Sequence, residues 1–413
     1  MIEIVMAKRH FSIYLIILLT GLFTKVYAQS TSTGNAPNYF IGKDTVRVIT
    51  TAMPFLTITP DARSGALGDA GVAISPDANA IFWNPAKLAF IPDNKNIGFS
   101  LSYTPWLRKL VNDMSLSYLT GYYKLSKQEA IGVHLLYFDL GSIQFTDNNG
   151  IHIRDFNPQE FSTGATYSRK LSDHLGLALT LKFIHSNLSG NLLIDQSGTQ
   201  TKAGNAGAGD IGLYYNKNLI IKAKPYHFAF GAVISNIGNK VSYTNNDQKN
   251  FIPTNLRVGS AFTVPLDEFN KITFALDFNK LMVPTPPLRD SSGAVIDGQE
   301  DKNKSLISGM VNSFSDAPNG FREEIKEIMI STGVEYWYRD MFAVRGGFFH
   351  ENKYKGNRKY FTTGFGIRYK TFGLDFAYLI PIVQNNPLAE TLRFTLHFAF
   401  ASKQVQSTES ITE

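Results

Sequence analysis

The 413-residue chain has no cysteine. Disulfides, thiol chemistry and a lipid-modified N-terminal cysteine are excluded together. Beyond the first 30 residues there is no run of about 18 apolar residues, which excludes helical membrane spans. Charge is sparse: Asp, Glu, Lys and Arg make up 18% of the chain, the net charge is +6 and no long Lys/Arg block occurs. Such a chain carries no nucleic-acid footprint. No pair of its eight histidines has metal-ligand spacing on a helix, so neither a metal nor another cofactor is expected. His134, His174, His185 and His397 fall instead in strand-like text. Gly207-Ala208-Gly209-Asp210-Ile211-Gly212 matches a dinucleotide-binding pattern only in its letters. It lacks the buried strand before and the helix after that the pattern requires, and reads as small residues in a strand needing close approach.

What the chain does have is alternation. From Thr391 to Phe400, Leu392, Phe394, Leu396, Phe398 and Phe400 point one way, and Thr391, Arg393, Thr395, His397 and Ala399 the other. A period of two is an extended strand with one apolar and one polar face. The pattern recurs along most of the chain with no covering helices. The apolar face then meets lipid and the polar face lines a bore. Lipid offers no partner for open backbone groups, so the sheet must close on itself. The 31 Phe and 19 Tyr suit interfacial girdles.

Residues 1–28 read as a cleaved secretory signal: Lys8, Arg9 and His10, an apolar stretch from Phe11 to Phe23, then Val26 and Ala28 ahead of a cut before Gln29. About fourteen strands follow, near 97–106, 112–124, 129–140, 159–170, 175–183, 206–216, 226–237, 256–263, 271–279, 327–338, 341–350, 359–370, 371–380 and 390–400. Their connections sort by parity. Long links near 141–158, 187–205, 238–253, 281–326, 350–358 and 381–389 alternate with short ones, and 217–225 is intermediate. Tight periplasmic turns and long external loops have this arrangement in bacterial outer-membrane barrels.

The expected fold is an all-β, antiparallel transmembrane barrel of about fourteen strands with an N-terminal luminal plug. Its expected divisions are the signal at 1–28, an N-terminal segment and plug at 29–95, the barrel at 96–401 and a polar tail at 402–413. The plug is expected because a fourteen-strand bore leaves space to fill and 50–90 contains Phe55, Leu56, Ile74, Ile81, Phe82 and Trp83 without alternation. Residues 29–45 read as a flexible periplasmic tail. Asp61, Asp69 and Asp77 read as turn formers rather than cation ligands. The inward charges Arg257, Lys271, Asp277, Glu335, Arg345, Arg368, Asp375 and Arg393 read as solvated or mutually paired wall residues. The longest loop, 281–326, opens with Pro284, Pro286 and Pro287, and a short helix is expected within Phe321 to Ile328.

Trp83-Asn84-Pro85-Ala86, ahead of about fourteen strands, resembles the FadL-like outer-membrane transporters, which carry a plugging hatch. The ordered blocks Pro54-Phe55-Leu56, Pro60-Asp61-Ala62-Arg63-Ser64-Gly65, Leu67-Gly68-Asp69-Ala70-Gly71-Val72-Ala73 and Ser75-Pro76-Asp77-Ala78-Asn79 are similar to one branch, the PorV family of type IX secretion. The specific likeness covers about 50–92; beyond it the likeness is architectural. It implies a plug motif at Trp83, Asn84, Pro85 and Ala86, with plug turns at Asp61, Arg63, Gly65, Gly68, Asp69 and Gly71. It also implies binding of cargo proteins with a C-terminal sorting domain, taken from a large SprA- or Sov-like translocon barrel and passed to an attachment complex with a PorU-like sortase. No catalysis is implied.

Pro284, Pro286, Pro287, Phe314 and Phe321 are then candidate partner contacts, since loops carry recognition on a rigid scaffold. Outer-membrane lipid and lipopolysaccharide are further expected partners, the latter through basic loop residues. Two competing readings stand beside this one. A FadL-like transporter of hydrophobic small molecules would need an apolar cavity beside the plug, and a lipid-A-modifying enzyme would need a Ser–His or metal cluster at the outer rim.

Overall fold

The computed structural model describes residues 47–400, apart from 109–110, 112, 147–150, 191, 193–197, 222–223, 246–248, 302, 383–387 and 389. The expected signal at 1–28 and polar tail at 402–413 lie outside the described residues.

Fourteen strands close into one antiparallel barrel. They are β1 (Ile97–Pro105), β2 (Ser115–Lys124), β3 (Glu129–Asp139), β6 (Gln159–Lys170), β7 (Leu175–Asn187), β8 (Gly204–Ile221), β9 (Lys224–Gly238), β10 (Asn255–Pro265), β11 (Asn270–Leu281), β14 (Met329–Tyr338), β15 (Phe342–His350), β16 (Lys359–Tyr369), β17 (Phe372–Pro381) and β18 (Leu392–Phe400). Two loop hairpins, β4 (Ile143–Thr146) with β5 (His152–Phe156) and β12 (Leu288–Arg289) with β13 (Val295–Asp297), supply the remaining strands. The seam closes where β1 pairs with β18, placing Phe99 opposite Phe398 with ring centroids 4.7 Å apart.

Alternation fixes the register. Along β1, Phe99, Leu101 and Tyr103 are exposed while Ser100, Ser102 and Thr104 are buried. Val133, Leu181, Val344 and Phe361 are likewise exposed on the outer surface. A slip of one residue would exchange the faces. On β11 it would turn Asp277 outward, and a lipid-facing charge costs about 2–4 kcal/mol at midplane for Lys or Arg and somewhat less for Asp.

Three details depart from the sequence expectation. The intermediate link 217–225 is largely strand, because β8 runs to Ile221 and β9 resumes at Lys224. Ile220 and Ile221 are exposed on this hairpin extension. His174 lies in the turn before β7 rather than in a strand. Within the longest loop two short helices form, Leu306–Asn312 and Phe321–Lys326, of which only the second was expected.

The segment from Arg47 to Asn96 threads the bore. At its start Arg47 N donates to the Tyr354 carbonyl at 2.9 Å and Ala52 N to the Phe251 carbonyl at 2.8 Å. Both acceptors belong to long loops. The chain therefore enters at the long-loop end and reaches the short-turn end where β1 begins. Met53, Phe55 and Leu56 pack with Leu116, Tyr118, Phe138, Ile184 and Ile252 near the long-loop mouth. Deeper in, Leu67, Ala70, Ala73 and Ile74 meet a wall of small side chains, Ala178, Ala229, Ala261 and Ala275. Each large side chain so buried contributes about 1.5–3 kcal/mol.

Candidate functional site: a latched plug and an apolar platform

The plug is built from short turns because its sequence supplies caps instead of periodicity. Asp61 caps the turn Ala62–Gly65, its carboxylate accepting from Ser64 N at 2.8 Å. The same carboxylate accepts from Trp83 Nε1 at 2.6 Å and joins two plug turns. Asn84 accepts from Ala86 N at 3.1 Å, starting the 3-10 turn Pro85–Phe90, and donates to the Leu213 carbonyl of the wall at 2.9 Å. Ala86 O accepts from Ser168 Oγ at 3.1 Å. Gly71 N and Val72 N both donate to Asp277 Oδ2, at 2.7 and 2.9 Å. Gly71 O accepts from Lys87 Nζ at 2.6 Å. Tyr360 donates its hydroxyl to Asp69 Oδ2 at 2.5 Å.

Glycine is required where plug and wall backbones meet. Gly68 has φ +66°, and a Cβ there would lie 2.5 Å from the Phe348 backbone. On the wall side, a Cβ on Gly347 would lie 2.1 Å from Gly68 N. A Cβ on Gly65 would crowd Arg393 at 2.9 Å, and one on Gly71 would strike Trp83 at 2.2 Å.

A chain of charges fastens this plug to one side of the wall. Arg63 donates to Glu335 through Nε at 2.9 Å and Nη2 at 2.8 Å, and to Asp77 through Nη1 at 2.9 Å. Glu335 also accepts from Arg345 Nε at 2.7 Å. Arg345 continues to Asp375 at 2.8 Å, and Asp375 accepts from Arg368 at 2.6 Å and contacts His397 Nε2 at 2.6 Å. Glu335, Arg345 and Asp375 are each 2% exposed or less. Bidentate Arg–carboxylate geometry adds directionality to charge. The group favours one arrangement of plug and wall, since losing any buried pair removes part of the compensation of a desolvated charge.

At the long-loop end the loop after β11 folds into a platform. Its underside is ionic. Lys280 Nζ reaches Glu324 at 2.9 Å and Glu327 at 2.5 Å; Lys355 Nζ reaches Glu323 at 2.7 Å and Glu327 at 2.8 Å. Arg47 joins Glu323 at 2.7 Å, and Thr285 donates to Glu327 at 2.8 Å. Burial raises the Glu323 carboxyl, but hydrogen bonds from Arg47, Lys355 and Asn319 outweigh it and hold it below its ordinary value. Burial leads at Asp316 and raises its carboxyl. The same loop also exposes large apolar side chains. Ile307 and Val311, one turn apart on the first helix, are 62% and 64% exposed. Phe321 and Ile325, one turn apart on the second, are 76% and 52% exposed, and Phe314 between the helices is 44% exposed.

Of the candidate contacts read from sequence, Phe314 and Phe321 face solvent, whereas Pro284 is buried and Pro286 and Pro287 are half-buried at the loop base. Ile307, Val311 and Ile325 escaped the sequence reading, although their i,i+4 spacing was visible. The plug residues Asp61, Arg63, Gly65, Gly68, Asp69, Gly71, Trp83, Asn84, Pro85 and Ala86 all lie in the bore. Asp77 acts there as both a turn former, accepting from Asn79 N at 2.9 Å, and the outer partner of Arg63. Among the described residues no group of three or more His, Asp or Glu is placed to hold a metal ion.

Residues 41–288, more than half of the chain, match a family model described as type IX secretion system protein PorV. A search of curated proteins found no match. Solved structures with the same barrel architecture include a TodX ΔS2S3 mutant monoaromatic hydrocarbon channel, at 12% identity and TM-score 0.50 over 83% of this chain and 99% of that one. The Pseudomonas putida toluene transporter TodX aligns at 11% identity and TM-score 0.47 over 87% and 100%. A Pseudomonas aeruginosa FadL homologue aligns at 11% identity and TM-score 0.42 over 86% and 100%.

Proposed function

Because this chain belongs to the PorV family of type IX secretion proteins, we propose that it is the protein-docking barrel of that system, receiving cargo from the translocon and presenting it to the surface attachment complex. The chain is an outer-membrane β-barrel. Its long loops face the cell exterior, as in bacterial barrels generally. The observation that carries the docking reading is the platform: five large apolar side chains held in water on a loop fixed by buried ion pairs. An apolar patch rimmed by charge marks a protein or membrane contact, and a preorganised one loses little entropy on binding. The occupants in this reading are a large SprA- or Sov-like barrel and the C-terminal sorting domain of cargo, with a PorU-like sortase complex receiving the cargo next. The barrel itself performs no chemical step.

The fastened plug counts against a hydrophobic-compound transporter. A solute crossing the bore would have to displace a segment bonded to strands on both sides of it, through Asn84 to β8 and through Arg63 to β14. All fourteen strands are paired around the wall. The test is co-purification from detergent-solubilised membranes. Replacing Ile307, Val311, Phe321 and Ile325 together by Ser abolishes recovery of translocon and cargo while the barrel remains folded. Undiminished recovery removes the docking assignment from this loop.

A further inference from the structure

The short-turn end holds a cavity of about 680 Å³ that the docking reading does not use. Its roof is the plug around Arg63, Ser75 and Asp77, and its rim is formed by the periplasmic turns, including Asp340, Lys370 and Thr371. The volume falls within the roughly 300–1,000 Å³ range of small-ligand sites.

The cavity's polar side chains divide unevenly. Every carboxylate lining it already has a partner: Asp77 binds Arg63 and Asn79 N, Glu335 binds Arg63 and Arg345, and Asp340 binds Lys271. The groups without a hydrogen-bond or ion-pair partner are ones that can donate. Lys95, Thr371 and Lys370 are exposed at the rim, Lys370 Nζ lying 5.3 Å from the centroid of the Tyr369 ring, and farther in lie the Trp337 indole, the Tyr214 hydroxyl, the His227 ring and the Asn216 amide. Lysine and tryptophan can only donate; tyrosine and histidine can donate. Phe90, Ile91 and Tyr122 give the same cavity apolar wall. Donors in excess over free side-chain acceptors, on a partly aromatic surface, suit an anion carried on an apolar body.

We propose that this cavity is a periplasm-facing binding site for a carboxylate ligand with an aromatic or aliphatic body. The carboxylate sits between Lys95 and Lys370, and the body lies against Trp337 and Tyr214. The site lies at the opposite end of the barrel from the loop platform and does not depend on the assignment of that platform.

The same chemistry has two sources, a polypeptide's C-terminus and a free organic acid. Calorimetric titration of the full-length barrel in detergent separates them. The probes are N-acetyl-Phe-Phe as its free acid, the same dipeptide as its amide, and 4-phenylbutyrate. At least one acid binds saturably, and the dipeptide acid binds at least about tenfold more tightly than its amide if a chain terminus is the source, as expected for loss of a charge-assisted contact. Tighter binding of 4-phenylbutyrate than of the dipeptide assigns the site to free acids. Lys95→Ala with Lys370→Ala, both exposed and outside the plug latch, weakens acid binding by about tenfold or more, and Phe321→Ala leaves it unchanged. Absence of saturable binding by either acid, equal affinity for acid and amide with no binding of 4-phenylbutyrate, or acid binding indifferent to the double lysine substitution overturns the proposal.

Discussion

Glu335→Ala removes the acceptor that Arg63 of the plug and Arg345 of the wall share. Removing one partner of a buried ion pair costs about 3–5 kcal/mol, because the other charge stays buried. Neither arginine is left bare here. Arg63 keeps Asp77 and the Ser75 hydroxyl at 2.7 Å, and Arg345 keeps Asp375. The lower limit, about 3 kcal/mol, is the expected loss. It falls on the contact between plug and wall, since the lipid-facing surface and the strand ladder are untouched. At about 1.4 kcal/mol per tenfold, the population with a detached plug rises on the order of 100-fold. Hydrogen–deuterium exchange of the detergent-solubilised protein reads this directly. Amides in 62–91 should exchange on the order of 100-fold faster, while amides of β3, β6 and β7, remote from the latch, keep their protection. Glu335→Gln, which retains acceptor and shape, should fall between. Unchanged exchange in the plug would refute the latch. Equal loss of protection in plug and distant wall would show that Glu335 holds the barrel rather than the plug.

Gly347→Ala should displace the plug at a cost of about 1–3 kcal/mol, because its Cβ would sit 2.1 Å from Gly68 N, whereas Gly346→Ala next door, with nothing nearer than 3.9 Å, should be neutral in denaturant unfolding. Lys280→Ala leaves Glu324 with only the Ala317 N–H and removes one of two cations from Glu327, so the long loop should become protease-sensitive without loss of the barrel's heat-modified gel mobility. Glu323 is held below its ordinary value of 4.5, so its stabilisation is complete above that value and disappears as pH falls through the lower folded-state value. Limited proteolysis across that acidic window should open the loop reversibly, and a loop equally resistant throughout would contradict the ionic underside.

The wall was the most legible part of this molecule, and its legibility has a physical source. Lipid and bore demand opposite side chains at successive residues, so β7 and β11 announce their faces without help from the rest of the chain. The plug could be anticipated from an apolar, non-alternating stretch ahead of a wide barrel. What joins it to the wall could not. Arg63 and Glu335 are separated by 272 residues, and parity says that Glu335 points inward but not what it meets. The wall glycines have the same limitation: parity turns Gly347 inward and Gly346 outward, but does not say that the Gly68 backbone comes to rest against Gly347. The β8–β9 hairpin was misjudged because Asn216 to Leu219 do not alternate, yet their backbones continue pairing up to the turn. In the longest loop, the three prolines drew attention to its rigid base, while the exposed surface is carried by two helices too short for periodicity alone to establish.

What touches the apolar platform in the cell decides whether it docks proteins. A photo-crosslinking amino acid placed at Phe321 or Ile307 in living cells should yield adducts with a large outer-membrane barrel and with exported proteins bearing a C-terminal sorting domain. Adducts confined to lipid or lipopolysaccharide, in cells that secrete normally, would contradict that role.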